Sequence, residues 1–142
     1  MKYRIVWSTE MQTGNRSLDL QHVELIELIN TLAYLIETGY TTAQITEALG
    51  QLECYVLFHF NYEENLMANN RISPEHALRH IEAHQIFSKT IESFKSDTNL
   101  NTKLPKIVAF LVEWLSNHIL LTDQELVALC RREGESRYGV SI

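Results

Sequence analysis

From Leu18 onward, apolar residues recur at steps of three and four, the rhythm of one side of an α-helix. A first helix, about 19–37, carries Leu25, Ile26, Ile29, Leu32 and Ile36 on one side, and Gly39 follows where a positive-φ stop is needed. Thr41, with Gln44 three residues later, forms a capping-box pattern that opens a second helix, about 42–67. Its stripe runs Ile45, Leu49, Leu52, Val56, His59, Glu63, Leu66. Ser73-Pro74 opens a third, about 74–95, with Ser as N-cap and Pro at the first helical position; its stripe is Ala77, His80, His84, Phe87, Ile91, Phe94. After the polar stretch 96–103, a fourth helix, about 104–130, starts at Leu104-Pro105 and carries Ile107, Val108, Leu111, Trp114, Leu115 and His118, ahead of a polar tail. Short connections between such helices predict an all-α, up-down-up-down antiparallel four-helix bundle, organised as a single domain over 1–142. The first 17 residues, with Tyr3, Ile5, Val6 and Trp7, read as an extended arm packed along the bundle, or as a short strand-like stretch.

The stripes pass through polar residues without losing phase. His59 and Glu63 stand where Val or Leu belongs, as do His80 and His84; His118 is seven residues after Leu111, and His22 is three before Leu25. Each helix thus turns at least one metal-ligating side chain inward. Burying so many polar groups without partners costs on the order of a few kcal/mol each, and the stripes otherwise supply hydrocarbon. The pairs His59/Glu63 and His80/His84 are four apart, so each pair projects from one helix face. His22 lies about 17 residues before Gly39 and His59 about 19 after Tyr40, which puts them at similar heights in an antiparallel pair. His76 is four before His80, so spacing admits it, but it stands about 100° off the stripe and in the first turn, which reads as a surface position. Its replacement is therefore expected to leave the metal content unchanged. In the fourth helix, Asp123 follows His118 by five residues, about 140° around a regular helix. Either the helix widens there in a π-type turn, or Asp123 reaches in along the edge, or Glu125 takes its place.

Composition narrows the chemistry. With 18 acidic against 12 basic residues and a net charge of -6, nucleic acid is disfavoured as a partner. No apolar run reaches the length of a membrane span, and the first ten residues lack a signal-peptide layout, so neither a membrane nor export is expected. The two cysteines, Cys54 and Cys130, form no CxxC; a reducing, cytoplasmic setting follows, with Cys54 read as a small buried hydrophobe. Five histidines and two carboxylates over-supply one zinc, and calcium or magnesium would prefer oxygen. Two octahedral-preferring ions fit, three histidines on one and two on the other with both carboxylates and one oxygen atom bridging, which leaves one open position; iron and manganese both suit such donors. Asp19 reads as a cap or an orienting neighbour of the first helix, and Glu64 as a rim residue.

The motifs Asp19-x-Gln21-His22, His59-Phe60-x-x-Glu63-Glu64, His80-x-x-x-His84 and Trp114-Leu115-x-x-His118-Ile119-x-x-x-Asp123 resemble the hemerythrin family, and within it the bacteriohemerythrins, over nearly the whole chain. The resemblance implies two iron ions, Fe2+ or Fe3+, joined by an oxo or hydroxo bridge. It selects His80, His84 and His118 for one iron, His22 and His59 for the other, and Glu63 and Asp123 as bridges, over His76 and Glu125. It implies O2 as a reversible ligand, bound in a pocket walled by Leu25, Phe60, Trp114, Leu115 and Ile119, and a non-enzymatic role in oxygen carriage, storage or delivery to an oxygen-consuming partner. An oxygen or redox sensor, a di-iron oxidase or nitric oxide-handling enzyme, and an iron buffer are the other functions the same metals would allow.

Overall fold

The computed structural model describes residues 4–138. Every regular element among them is helical: α1 (Arg16–Thr38), α2 (Thr42–Asn69), α3 (Pro74–Lys95), α4 (Leu100–Asn117), a π-helical turn (His118–Asp123) and α5 (Gln124–Tyr138). The helices form the four-helix bundle that the apolar rhythm predicts: α1 packs on α2 and α4, and α3 on α2 and α4, which closes the ring. Leu25, Ile29, Leu32, Ile45, Leu49, Leu52, Ile91, Leu104, Ile107 and Leu111 are almost wholly buried at its centre. The local stops and starts follow their sequence signals. Gly39 takes φ 89°, Thr41 and Gln44 close their capping box, and the Ser73 side chain accepts from the amide of His76 with Pro74 in the first turn.

Two boundaries differ from the periodicity. α1 begins at Arg16, because Asn15, whose Oδ1 accepts from the Leu18 amide at 3.1 Å, is the N-cap. Asp19 instead clamps the arm: its carboxylate accepts from the Thr13 amide (2.9 Å) and hydroxyl (2.7 Å) and from the Gly14 amide (3.3 Å). α4 gains a turn ahead of Pro105, since Leu100 packs into the core, and the rod runs on past Cys130 as α5 to Tyr138, where a polar tail was expected. By length and mean hydropathy (1.3), the stretch Thr102–Gly134 would be long enough to cross a membrane. Its apolar side, however, packs against the other helices and carries buried His118 and Asp123.

The arm is extended, apart from one 3-10 turn at Thr9–Met11, and lies on the bundle; Tyr3 falls outside the described residues. Asn30 on α1 binds both backbone groups of Ile5, accepting from its N–H and donating to its C=O at 2.9 Å each. Ile5 and Met11 are buried, whereas Val6 is exposed. At the far end of the arm, the Gln124 side chain donates to the carbonyls of Glu10 (3.0 Å) and Gln12 (3.1 Å).

Candidate metal centre

Each long element delivers part of one buried cluster. His22 comes from α1, His59 and Glu63 from α2, His80 and His84 from α3, and His118 and Asp123 from the two ends of the π turn; none is more than 3% exposed. The seven fall into two adjoining groups that share Glu63: one with His80, His84 and His118, the other with His22, His59 and Asp123, each with donor atoms within 4.8 Å of one another. Asp123 also spans both sides, its Oδ2 2.7 Å from His22 Nε2 and its Oδ1 3.1 Å from His118 Nε2 and 3.2 Å from His80 Nε2.

The π turn resolves the angular problem at Asp123. Hydrogen bonds from i to i+5 put one more residue into the turn than an α-helix holds, so a residue five positions on returns to the same side. The backbone is α-like on entry and exit, at His118 (φ -63°, ψ -46°) and Gln124 (φ -61°, ψ -44°), so the helix continues through the turn while its face is reset. Glu125, two residues further, is an exposed carboxylate that does not enter the cluster.

Two carboxylates in a dry interior demand positive charge. Burial and mutual repulsion push Glu63 up, yet His59 and His118 more than offset this and hold it below the carboxylate range; Asp123 is likewise held far down, against burial, by His118 and His22. The histidines answer in kind. Burial opposes their protonated forms, but attraction from Glu63 and Asp123 wins, raising His59 to about 9 and His118 to about 10, with His80 raised as well. Even so, five buried atoms have no hydrogen bond: His22 Nδ1, His59 Nε2, Glu63 Oε2, His80 Nε2 and Asp123 Oδ1. His59 Nε2 stands 3.2 Å from Glu63 Oε1, and His80 Nε2 3.2 Å from Asp123 Oδ1, close enough to bond but not aligned to do so. Donor atoms crowded together without aligned hydrogen bonds fit cations placed between them in exchange for the histidine protons, and the imidazole–carboxylate donor set suits first-row transition metals.

Contacts behind the histidines fix which nitrogen faces inward. His59 Nδ1 donates to Gln21 Oε1 (2.7 Å) and His84 Nδ1 to Glu64 Oε2 (2.9 Å), which turns each Nε2 inward, 3.2 Å from Glu63 Oε1. His76 is not the surface residue that stripe phase predicts. It is 4% exposed, its Nδ1 is 2.7 Å from Glu125 Oε1 and its Nε2 is 2.9 Å from His80 Nδ1. α5 covers the flank of α3 that lies off the stripe, and a reading of α3 alone could not supply that neighbour. Gln21 was missed as a partner of His59, although its place immediately before His22 was a usable signal.

Aromatic rings brace the cluster on one side. Phe60 stacks on His84 and Trp114 on His118 (centroids 4.4 Å, planes 16° apart). Leu25, Leu115 and Ile119 are buried in the same apolar cluster as Phe60, with Trp114 packed against it. Cys54 is exposed rather than buried, because it lies between the Leu52 and Val56 stripe positions and faces out; Cys130 is half-buried, and both thiols are free.

Fold and site together define a helical bundle that buries a histidine–carboxylate metal site. The model of the hemerythrin HHE cation binding domain matches residues 13–130, and the chain belongs to the hemerythrin family. It is 29% identical over 128 residues to the bacteriohemerythrin of Pseudomonas aeruginosa (strain LESB58), covering 89% of this chain and 82% of that protein. Against the bacteriohemerythrin of Clostridium acetobutylicum it is 28% identical over 128 residues, covering 86% and 98%. A hemerythrin-like protein of Naegleria gruberi is 29% identical over 119 residues, covering 84% and 87%.

Proposed function

We propose that this chain is a cytoplasmic, non-enzymatic di-iron protein that binds O2 reversibly, for its carriage, storage or delivery to an oxygen-consuming partner. The observation that carries the reading is the division of seven buried ligating side chains into two groups around a shared Glu63. His80, His84 and His118 would hold one iron, His22 and His59 the other, with Glu63 and Asp123 common to both. Ferrous ions so held would supply two reducing equivalents and an open coordination position for O2.

The chain's own residues supply the rest. Glu63 and Asp123, kept ionised by their surroundings, carry the charge that retains divalent cations in a dry site. Gln21 and Glu64 hold His59 and His84 with Nε2 inward. Leu25, Phe60, Trp114, Leu115 and Ile119 would keep water from the site and offer no ionisable proton there, which would suit reversible binding better than oxidation chemistry. Two free cysteines fit a reducing compartment.

Metal analysis followed by anaerobic reduction and exposure to O2 tests the proposal. Two irons per chain and a visible band that rises with O2 and vanishes on deoxygenation are expected. A different metal content overturns the site, and rapid irreversible oxidation overturns carriage in favour of sensing or enzymatic turnover.

A further inference from the structure

The cluster around His76 is used by none of the steps above, and once His80 gives its Nε2 to a metal the hydrogen bonds of that cluster have one self-consistent polarity. The Glu125 carboxylate can only accept, so His76 Nδ1 carries the proton that spans their 2.7 Å contact. The other nitrogen of a neutral His76, Nε2, is then an acceptor, and the 2.9 Å contact is a bond donated by His80 Nδ1. With its proton on Nδ1, His80 presents a bare Nε2 to Asp123 Oδ1 at 3.2 Å and Glu63 Oε2 at 3.5 Å, and that Nε2 has no hydrogen bond. His76 is 4% exposed, so no surface solvation competes with these bonds, whereas Glu125 reaches solvent and has the Arg79 guanidinium 3.6 Å away. A cavity of about 220 Å³ opens beside the pair, between Ala83, Leu121 and Thr122.

We propose that His76 is a positioning residue for the ligand His80: anchored on Glu125, it sets the tautomer and ring orientation of His80 and passes the electron density of a surface carboxylate to the metal that His80 holds. The inference rests on the di-iron reading only in taking His80 as a ligand. His84 reaches its carboxylate, Glu64, directly, whereas the charge behind His80 is relayed through a second imidazole, so the two ligands on α3 are supported at different distances from charge. A hydrogen bond from a ligand imidazole to such an acceptor raises its basicity, strengthening metal binding and favouring the more oxidised metal.

The test loads wild type and variants with ferrous iron under anaerobic conditions, confirms two irons in the wild type, and measures release to a ferrous chelator and the midpoint potential of the pair. His76→Leu removes the acceptor; it should fold, still take up iron at saturation, release it about tenfold faster and have a raised potential. His76→Gln, whose amide can donate to Glu125 and accept from His80, should restore both values toward wild type, whereas Glu125→Gln should shift them as His76→Leu does but less. In His76→Ala, imidazole added to the solution can enter through the neighbouring cavity and should slow release again. If iron-loaded wild type and folded His76→Leu match in both release rate and potential, the positioning role is overturned and the di-iron reading stands. If the wild type itself binds no iron, both fall. Loss without recovery in His76→Gln, and without imidazole rescue in His76→Ala, overturns the positioning role in favour of simple packing.

Discussion

Phe60 lies flat on the imidazole of His84, with ring centroids 3.7 Å apart and planes 8° from parallel. The same ring meets Phe87 edge-on at 5.7 Å and Trp114 at 5.8 Å, so one side chain ties a buried polar group to the apolar core. Phe60→Ala should cost about 3–5 kcal/mol in urea unfolding, the range for emptying a buried aromatic site. Phe60→Leu should recover more than half of that loss, because it refills volume without restoring the stack. Equal losses in the two variants would show that ring stacking, not volume, dominates.

The π turn makes an unusual deletion tolerable. Leu121 is exposed, and removing it takes away the extra residue that distinguishes the turn from α-helix, so Leu126 and Val127 keep their facing. Deleting exposed Leu57 from the regular α2 instead rotates everything before it by about 100° relative to His59 and Glu63. Thermal melts should show a folded Leu121 deletion with a modestly lowered Tm and a Leu57 deletion with little cooperative unfolding.

Stability of the metal-free protein should pass through a maximum in mildly acidic solution. His59 and His118 have folded values near 9 and 10, above the ordinary 6.5, so their contribution is complete below 6.5 and is lost as pH rises through 9 to 10. Glu63 and Asp123 are depressed from 4.5 and 3.8, so theirs is present above those values and lost as pH falls below them. Tm of the metal-free chain should therefore peak between about pH 5 and 6.5 and decline on both sides. Metal uptake at neutral pH should release protons, measurable in weakly buffered solution. A metal-free Tm that climbs from pH 6.5 to 9 would contradict the charge balance drawn here.

The two thiols should separate cleanly. Cys54 is exposed, while Cys130 is half-buried and its thiol is pushed up by that burial, which leaves less thiolate at neutral pH. A disulfide reagent at neutral pH should modify Cys54 first, with Cys130 following slowly and accelerating as pH rises. Cys54→Ser should abolish the fast phase alone.

How much of this was legible depended on how local each cause is. The capping box at Thr41, the Ser73-Pro74 start and the stop at Gly39 are settled within a few residues, and the sequence carries them whole. The inward phase of His59, Glu63, His80 and His84 was readable too, because each keeps step with an apolar stripe. The five-residue gap from His118 to Asp123 raised a π-type turn but left it open against an edge approach and against Glu125. His76 was misread because one helix's periodicity reports its main apolar neighbour only. The second neighbour, α5, lies more than 40 residues away in the chain, and its run past Cys130 into a polar composition was not visible in the stripe. Cys54 was judged by residue type when its position between stripe residues was the better guide.

The contact between His22 and Asp123 joins positions 101 residues apart, and nearly everything that forms the bundle lies between them. Topologically, that contact is the clasp of a closed ring. The arm before it and α5 after it pack on the outside of that ring, the arm through Ile5 and Met11 and α5 through Leu126. Pulled by its termini, the chain would first shed those ends and then meet the clasp, where the load would pass straight across from one residue to the other and bypass α2 and α3 entirely. His22 and Asp123, two of the seven side chains that gather at the centre, would thus set the mechanical strength of the molecule.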